Sequence, residues 1–168
     1  DFFFASKNGY CLNCSDAIPQ QLRVSGGVKG MDLEDGDCLI TATQIRKDAD
    51  YEVVVATTFG TFKKVELGTI GKLARARKGV RLVDVGSDGK ENALLATPIE
   101  EGDKILLLCE DENGNVMHAD SDDMFSESRT TKGKTLPSLG IFRAKGVYSF
   151  RPLVPKRVSR IFPRIFRG

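Results

Sequence analysis

The chain has 168 residues, of which 40% are hydrophobic and 29% are charged, as in an ordinary folded domain. No apolar run approaches the roughly 20 residues of a membrane-spanning helix, so we expect no membrane contact. The sequence also shows no secretory signal, so we expect a cytoplasmic location. The formal net charge is only +2, which gives no bulk electrostatic argument for nucleic-acid binding. The chain begins at Asp1 without a signal-like apolar segment, and we expect it to be a piece of a longer polypeptide.

The first predicted element is a β-hairpin at the start of the chain, and it recurs twice. In each copy a short apolar run leads into a turn that contains glycine, and a second short run follows. This order of strand, glycine turn and strand is typical of a hairpin. The three turn glycines are 51 and 54 residues apart: Gly9, Gly60 and Gly114.

The similarity between the three units continues beyond the hairpins. Each unit contains a Lys-Gly pair, at spacings of 49 and 54 residues: 29–30, 78–79 and 132–133. A further apolar strand follows each pair, beginning at Cys38, Ala93 and Val147. Four short strands in about fifty residues are typical of blades rather than of stacked helices.

These elements together predict the fold class and the domain organisation. No window repeats apolar residues at helical spacing over three turns, so no long helix is expected. We predict an all-β, propeller-like fold of four-stranded blades, with about three repeats of about fifty residues. The repeats cover residues 1–50, 51–103 and 104–150, and a basic tail covers 151–168.

The spacing of Cys11 and Cys14 is that of a metal-binding or redox pair. A second such pair is missing, however, and the single histidine is His118. In the other two units the aligned positions are apolar: Phe62 and Val65, and Val116 and Ala119. We therefore interpret both cysteines as small core residues, with a metal or redox role as the weaker alternative. His118 aligns with polar residues, and we expect it to face solvent.

The tail over residues 151–168 differs from the body of the chain. It contains six basic residues and no acidic residue, together with two phenylalanines. A further strand, a DNA-binding arm and a docking peptide are all compatible with this composition. We favour a strand followed by an arm, because residues 158–162 fall where another unit would begin.

The repeat pattern resembles the C-terminal β-pinwheel of the A subunit of bacterial type IIA topoisomerases, which are DNA gyrase and topoisomerase IV. Three features carry the resemblance: a strand leading to Gly and two basic residues, a downstream Lys-Gly or Lys-Gly-Val, and acidic Gly-Asp turns. They occur at residues 59–64, 25–30, 76–80, 34–37 and 101–103. The resemblance covers residues 1 to about 150.

The resemblance implies an accessory domain without catalytic activity or a cofactor of its own. In that family five or six blades commonly form a disc, neighbouring blades exchange strands, and duplex DNA wraps around the basic rim. The implied partners are duplex DNA and, within an ATP-dependent DNA topoisomerase, the B subunit together with the rest of the A subunit. The gyrase-specific box, Gln-basic-basic-Gly-Gly-Lys-Gly, is not intact at residues 24–30, so gyrase and topoisomerase IV both stay open.

The densest group of cations lies in the second unit, where no acid occurs between Leu67 and Val83. Cations along one edge neutralise phosphates and release counterions, which is what DNA binding without sequence preference requires. We predict DNA-binding residues there and, more thinly, in the other units: Lys63, Lys64, Lys72, Arg75, Arg77, Lys78, Arg81, Lys29, Arg129, Lys132 and Lys134. No aromatic residue alternates with these cations, which favours contact with a duplex backbone over base stacking.

A protein-interaction propeller without significant DNA affinity is the alternative function. The nearly neutral body of the chain and the acidic residues between 120 and 123 suit such a scaffold. An enzyme is disfavoured, because the sequence shows no Ser/His/Asp set and no phosphate-binding loop. No tyrosine resembles the DNA-cleaving tyrosine of the topoisomerase family.

Overall fold

A computed structural model describes residues 1–151, so the tail predicted over 152–168 lies outside the described part of the chain. No helix within residues 1–151 has the length and apolar character needed to cross a bilayer. This part contains 3₁₀ turns at Leu67–Thr69 and Ser121–Asp123 and eleven short strands. The strands are β1 (Phe2–Ser6), β2 (Tyr10–Cys14), β3 (Leu39–Gln44), β4 (Tyr51–Thr57), β5 (Phe62–Glu66), β6 (Lys72–Leu73), β7 (Val80–Arg81), β8 (Ala93–Glu100), β9 (Leu106–Asp111), β10 (Val116–Asp120) and β11 (Ala144–Phe150).

Each repeat forms a three-stranded antiparallel sheet with its first strand in the middle. The strand orders are β3–β1–β2, β8–β4–β5 and β11–β9–β10. The predicted hairpins are confirmed by their registers, in which Phe4 pairs with Leu12 and Val54 pairs with Lys64. The all-β fold and its blades are therefore confirmed, and each sheet is one blade.

The middle blade is buried on both faces, which explains the continuous apolar run of β4. Val53 and Val55 belong to the hydrophobic cluster shared with the first blade, which includes Phe3. Val54 belongs to the cluster shared with the third blade, which includes Leu107. Because successive side chains of a strand point to opposite faces, a strand covered on both faces needs no polar residue.

The fourth strand of a blade comes from the following repeat. In the second repeat, β6 pairs in parallel with β2 and β7 pairs with β2 in antiparallel fashion. In the third repeat, Ser126 and Lys134 form the equivalent bridges to β5. We call these crossing segments arms and define them as residues 20–29, 72–81 and 126–135 of the three repeats.

The backbone corrects the alignment of the first arm. Gly27, Gly79 and Gly133 all have positive φ angles, of 76°, 81° and 83°, whereas Gly30 does not. The equivalent glycines are thus Gly27, Gly79 and Gly133, and the predicted equivalence of the pair at 29–30 with the other Lys-Gly pairs is wrong by three residues. The pattern misled because a Lys-Gly pair also occurs just after the true position. The turns at residues 23–24, 75–76 and 129–130 support the corrected alignment.

Two of the arm glycines, Gly79 and Gly133, pack directly on the hairpin of the preceding blade. A Cβ atom at Gly133 would lie 2.8 Å from the carbonyl oxygen of Phe62. A Cβ atom at Gly79 would overlap the carbonyl oxygen of Cys11, the residue aligned with Phe62. The arm approaches so closely that no side chain fits at these positions. The positive φ angle of both glycines is also unfavourable for any other residue.

Cys11 and Cys14 are buried core residues, as predicted. Cys11 packs between the first and second blades, whereas Cys14 packs with Phe4 and Leu12 in a separate cluster. On a strand, side chains three residues apart point to opposite faces, so the two thiols are separated by the sheet. Burial raises the pKa of Cys11 to about 12. His118 is exposed, which confirms its predicted orientation.

Replacing Gly79 with Ala should lower the free energy of unfolding by about 2–5 kcal/mol, because strain at positive φ adds to the overlap with the Cys11 carbonyl. Gly89→Ala is the matched control, since Gly89 also has a positive φ, of 72°, but no atom lies within 4 Å of a Cβ there. We expect the control to lose only about 1 kcal/mol. Urea denaturation of both variants measures the difference, and equal losses would contradict close packing of the arm.

Candidate nucleic-acid interface

The three arms present an arginine at the same place. Arg23, Arg75 and Arg129 each lie in the turn that precedes the arm glycine by four residues. In the second and third arms this turn lies where the arm reverses direction between its parallel and antiparallel bridges to the preceding blade. One arginine per repeat therefore lies at an equivalent position. The repetition is not visible in the sequence when the first arm is aligned on Gly30 instead of Gly27.

Direct contacts bring the arms side by side. The backbone N–H of Asp32, just after the first arm, donates to the carbonyl of Arg77 in the second arm over 3.0 Å. The Arg129 guanidinium of the third arm donates to the carbonyl of Arg81 over 3.3 Å. The Arg75 guanidinium also reaches the carbonyl of Lys29 at 3.5 Å. The arms thus form one continuous surface across the three repeats.

Aromatic rings lie beneath several of the arm cations. The Lys78 ammonium lies 4.2 Å and the Arg81 guanidinium 4.8 Å from the centre of the Tyr10 ring, and Arg81 donates to the Tyr10 hydroxyl over 2.9 Å. Two further pairs repeat the arrangement in the third arm: Lys132 over Phe59 at 5.1 Å, and Lys134 over Phe125 at 5.0 Å. A cation over a ring is held in position by the ring quadrupole.

Sequence reasoning missed Tyr10, Phe59 and Phe125 because these aromatics belong to other segments than the cations they support. A usable signal was present at Tyr10, which directly follows the hairpin glycine and pairs with Arg81 across the sheet. This pairing exists only because strands are exchanged between repeats, so a search for aromatic residues alternating with cations along the sequence could not reveal it.

Lys63 does not belong to this surface, and the prediction that it lies on the outer edge is wrong. Its side chain is 1% exposed, beneath the turn of the third arm. The ammonium donates to the carbonyls of Ser128 and Thr131, each over 2.8 Å. Burial lowers the pKa of Lys63 to about 8. Lys63 is thus a structural residue that satisfies the turn carbonyls of an arm.

The other ten predicted cations are at least partly exposed, and five of them pair with carboxylates. Lys64 is half-buried and pairs with Glu52 at 3.1 Å. The remaining pairs are Lys29 with Asp32, Lys72 with Asp1 at 2.6 Å, Lys78 with Glu34 at 2.6 Å, and Lys134 with Glu127 at 3.7 Å. The Lys29–Asp32 and Lys78–Glu34 pairs are exposed on both sides and contribute only about 0–1 kcal/mol each, so a phosphate can displace either carboxylate. Arg77 is exposed, and its guanidinium faces no carboxylate partner within residues 1–151.

The burial of Lys63 predicts a pH-dependent stability. Its pKa is about 8 in the folded state, compared with about 10.4 for an unperturbed lysine. Between these values the unfolded chain binds more protons, so stability increases as the pH rises from about 8 to about 10.4. Relative to Lys63→Met, the wild-type free energy of unfolding should rise by about 2–3 kcal/mol over this window. Urea denaturation at several pH values tests this, and parallel curves for the two proteins would contradict it.

Comparison with known proteins places these features in a family. The profile of the family described as "DNA gyrase C-terminal domain, beta-propeller" matches residues 1–46 and 51–106, which are the first two repeats. The A subunit of DNA topoisomerase 4 from Streptococcus pyogenes serotypes M3 and M6 is 32% identical over 81 residues, which are 48% of this chain and 10% of that protein. The chain therefore spans only about a tenth of the length of these curated relatives.

Three solved structures share the fold. The C-terminal domain of DNA topoisomerase IV matches with a TM-score of 0.73 and 23% identity, over 89% of this chain and 46% of that one. The DNA gyrase A C-terminal domain matches with a TM-score of 0.63 and 14% identity, over 89% of this chain and 48% of that one. The E. coli ParC C-terminal domain matches with a TM-score of 0.63 and 16% identity, over 90% of this chain and 60% of that one. Since the family profile matches more than half of the chain, the chain belongs to the β-propeller family of DNA gyrase C-terminal domains.

Proposed function

We propose that this chain binds duplex DNA without sequence preference and bends or wraps it along the arm surface. It does so as an accessory, non-catalytic domain of a cytoplasmic type IIA topoisomerase, whose other parts are the B subunit together with the rest of the A subunit. The observation that carries the proposal is the side-by-side arrangement of three arms, each with an arginine at the same turn. The relatives are named as DNA gyrase and DNA topoisomerase, which supports DNA as the ligand.

The surface suits the phosphate backbone rather than the bases. The described cations lie on short strands and turns, and residues 1–151 contain no helix of the length that reads a major groove. Backbone contacts position a duplex but carry no sequence information. Bending a duplex of 20–30 base pairs by 40–90° costs on the order of 1–6 kcal/mol, which several phosphate contacts along a curved surface can offset.

The aromatic supports strengthen the proposal. Tyr10 holds Lys78 and Arg81 on one side of the second arm, so part of the ordering entropy of these long side chains is already lost before DNA arrives. The hydrogen bond from Lys78 to Glu34 also raises the pKa of Lys78, which keeps the ammonium charged. A phosphate that replaces Glu34 would meet a cation already in place.

Gel-shift titration with duplexes of about 30 and about 150 base pairs, at about 50 and 200 mM salt, tests the function. We expect tighter binding to the longer duplex and a steep loss of affinity at the higher salt, because bound phosphates release counterions. Weak binding that is indifferent to length and salt would instead support the protein-interaction scaffold.

The triple variant Arg75→Ala, Arg77→Ala and Lys78→Ala tests the second arm. The affinity for DNA should fall uniformly across duplex sequences. The slope of log K against the logarithm of the salt concentration should become less steep by roughly 2–3, since each lost phosphate contact reduces the magnitude of the slope by about 0.9.

The matched control replaces three exposed cations outside the arms with Ala: Arg46, Lys104 and Lys145. It removes the same charge and should leave the salt slope unchanged. Equal losses in both triple variants would show that net charge, and not the arm surface, governs binding.

A further inference from the structure

A buried lysine lies directly beneath the arginine turn of the third arm. Lys63 is 1% exposed, and its ammonium donates to the carbonyls of Ser128 and Thr131, each over 2.8 Å. The same ammonium donates to the Thr131 hydroxyl over 3.3 Å. A lysine ammonium has three N–H donors, so all three have an acceptor in this one turn. The two residues that accept them flank Arg129 and Thr130 in the chain.

Further contacts close this turn around Arg129. The Thr131 hydroxyl donates to the Glu127 carboxylate over 2.5 Å, and the Thr131 carbonyl also accepts from the backbone N–H of Asp84 over 3.1 Å. The Arg129 guanidinium donates to the carbonyl of Arg81 over 3.3 Å. This contact uses one N–H of a guanidinium that has five, so the side chain is held in place and can still bind an anion.

The first blade has an apolar residue where the second blade has Lys63. Leu12 occupies the equivalent position of β2 and is 0% exposed. The turn of the second arm, which crosses that blade, is held in another way, because the Asp16 carboxylate accepts from the backbone N–H of Arg75 over 2.9 Å. A leucine can therefore fill this place in the fold.

Core packing alone does not explain a lysine at this position. Taking an ammonium out of water costs free energy that its hydrogen bonds must offset, whereas a buried leucine carries no such cost. The desolvation of Lys63 is evident in its pKa, which burial lowers to about 8. What the lysine adds is a set of donors that fixes two carbonyls and a hydroxyl of the turn.

We propose that Lys63 is a positioning residue of the DNA-binding surface, which holds the turn of the third arm in the shape that presents Arg129 to a phosphate. This role rests on the proposed function. Lys63 itself does not touch DNA, because its side chain is closed off from solvent. Ordering a flexible turn costs conformational entropy, so a turn that is ordered before DNA arrives binds a phosphate more tightly.

Hydrogen exchange of the full 168-residue chain without DNA tests the positioning itself. In Lys63→Leu the backbone amides of residues 128–131 should exchange about tenfold faster or more, because charge-assisted hydrogen bonds no longer hold the turn. Lys63→Met, with a side chain of similar length, should have the same effect. Lys64→Leu is the matched control, since it removes the same charge but the Lys64 ammonium pairs with Glu52, and exchange at the turn should not change.

A double-mutant cycle on duplex binding tests the link to Arg129. Arg129→Ala should make the slope of log K against the logarithm of the salt concentration less steep by about 0.9, since one phosphate contact is lost. Lys63→Leu should reduce the affinity and the slope by similar amounts. Adding Lys63→Leu to Arg129→Ala should lower the affinity by no more than about twofold further, whereas Lys64→Leu should add its full effect.

The wild type and the variants have separate consequences for the two proposals. A wild type without affinity for duplex DNA would overturn the proposed function and the role of Lys63 together. A wild type that binds DNA, combined with independent losses for Lys63→Leu and Arg129→Ala, would overturn the role of Lys63 alone. Unchanged hydrogen exchange at the turn in both Lys63 variants would do the same. Melting temperatures above the assay temperature verify that each variant is folded.

Discussion

The packing of an arm glycine against the backbone of the preceding hairpin is the constraint on which this structure depends. Gly79 and Gly133 bring the arms so close to Cys11 and Phe62 that strand pairing becomes possible. This pairing completes each blade with a strand that its own repeat does not supply. It also ties neighbouring blades together, because the segment that pairs with one sheet belongs to the repeat that forms the next.

The same contact creates the candidate interface. Once an arm is seated, its turn projects an arginine, and the hairpin beneath it offers an aromatic ring to the neighbouring cations, as Tyr10 does for Lys78 and Arg81. The ammonium of Lys63 satisfies the turn carbonyls from below. Lys63 therefore has a structural role beneath the third arm, whereas the arm cations themselves reach the surface.

The sequence predicts hairpins well, whereas it predicts the pairing between strands of different repeats poorly. Hairpins depend on residues within about fifteen positions of one another, so glycine turns and apolar runs identified all three of them. The pairing of the second arm with β2 joins residues some sixty to seventy positions apart, and no local pattern encodes it. For this reason the sequence pattern places Lys63 at the surface, gives no role to Tyr10, and aligns Gly30 where Gly27 belongs. The arginines of the second arm are predicted from the sequence because the acid-free run between Leu67 and Val83 is visible without knowledge of any partner.

Strand exchange also affects how the chain emerges from the ribosome. The first repeat ends near residue 50, but its blade is complete only when the second arm, which ends at residue 81, has been synthesised. At about 5–20 residues per second, this delay lasts about 2–6 s. During that time the edge of β2 is an unpaired strand in a nascent polypeptide. Vectorial synthesis therefore leaves every blade of such an array open until its successor arrives.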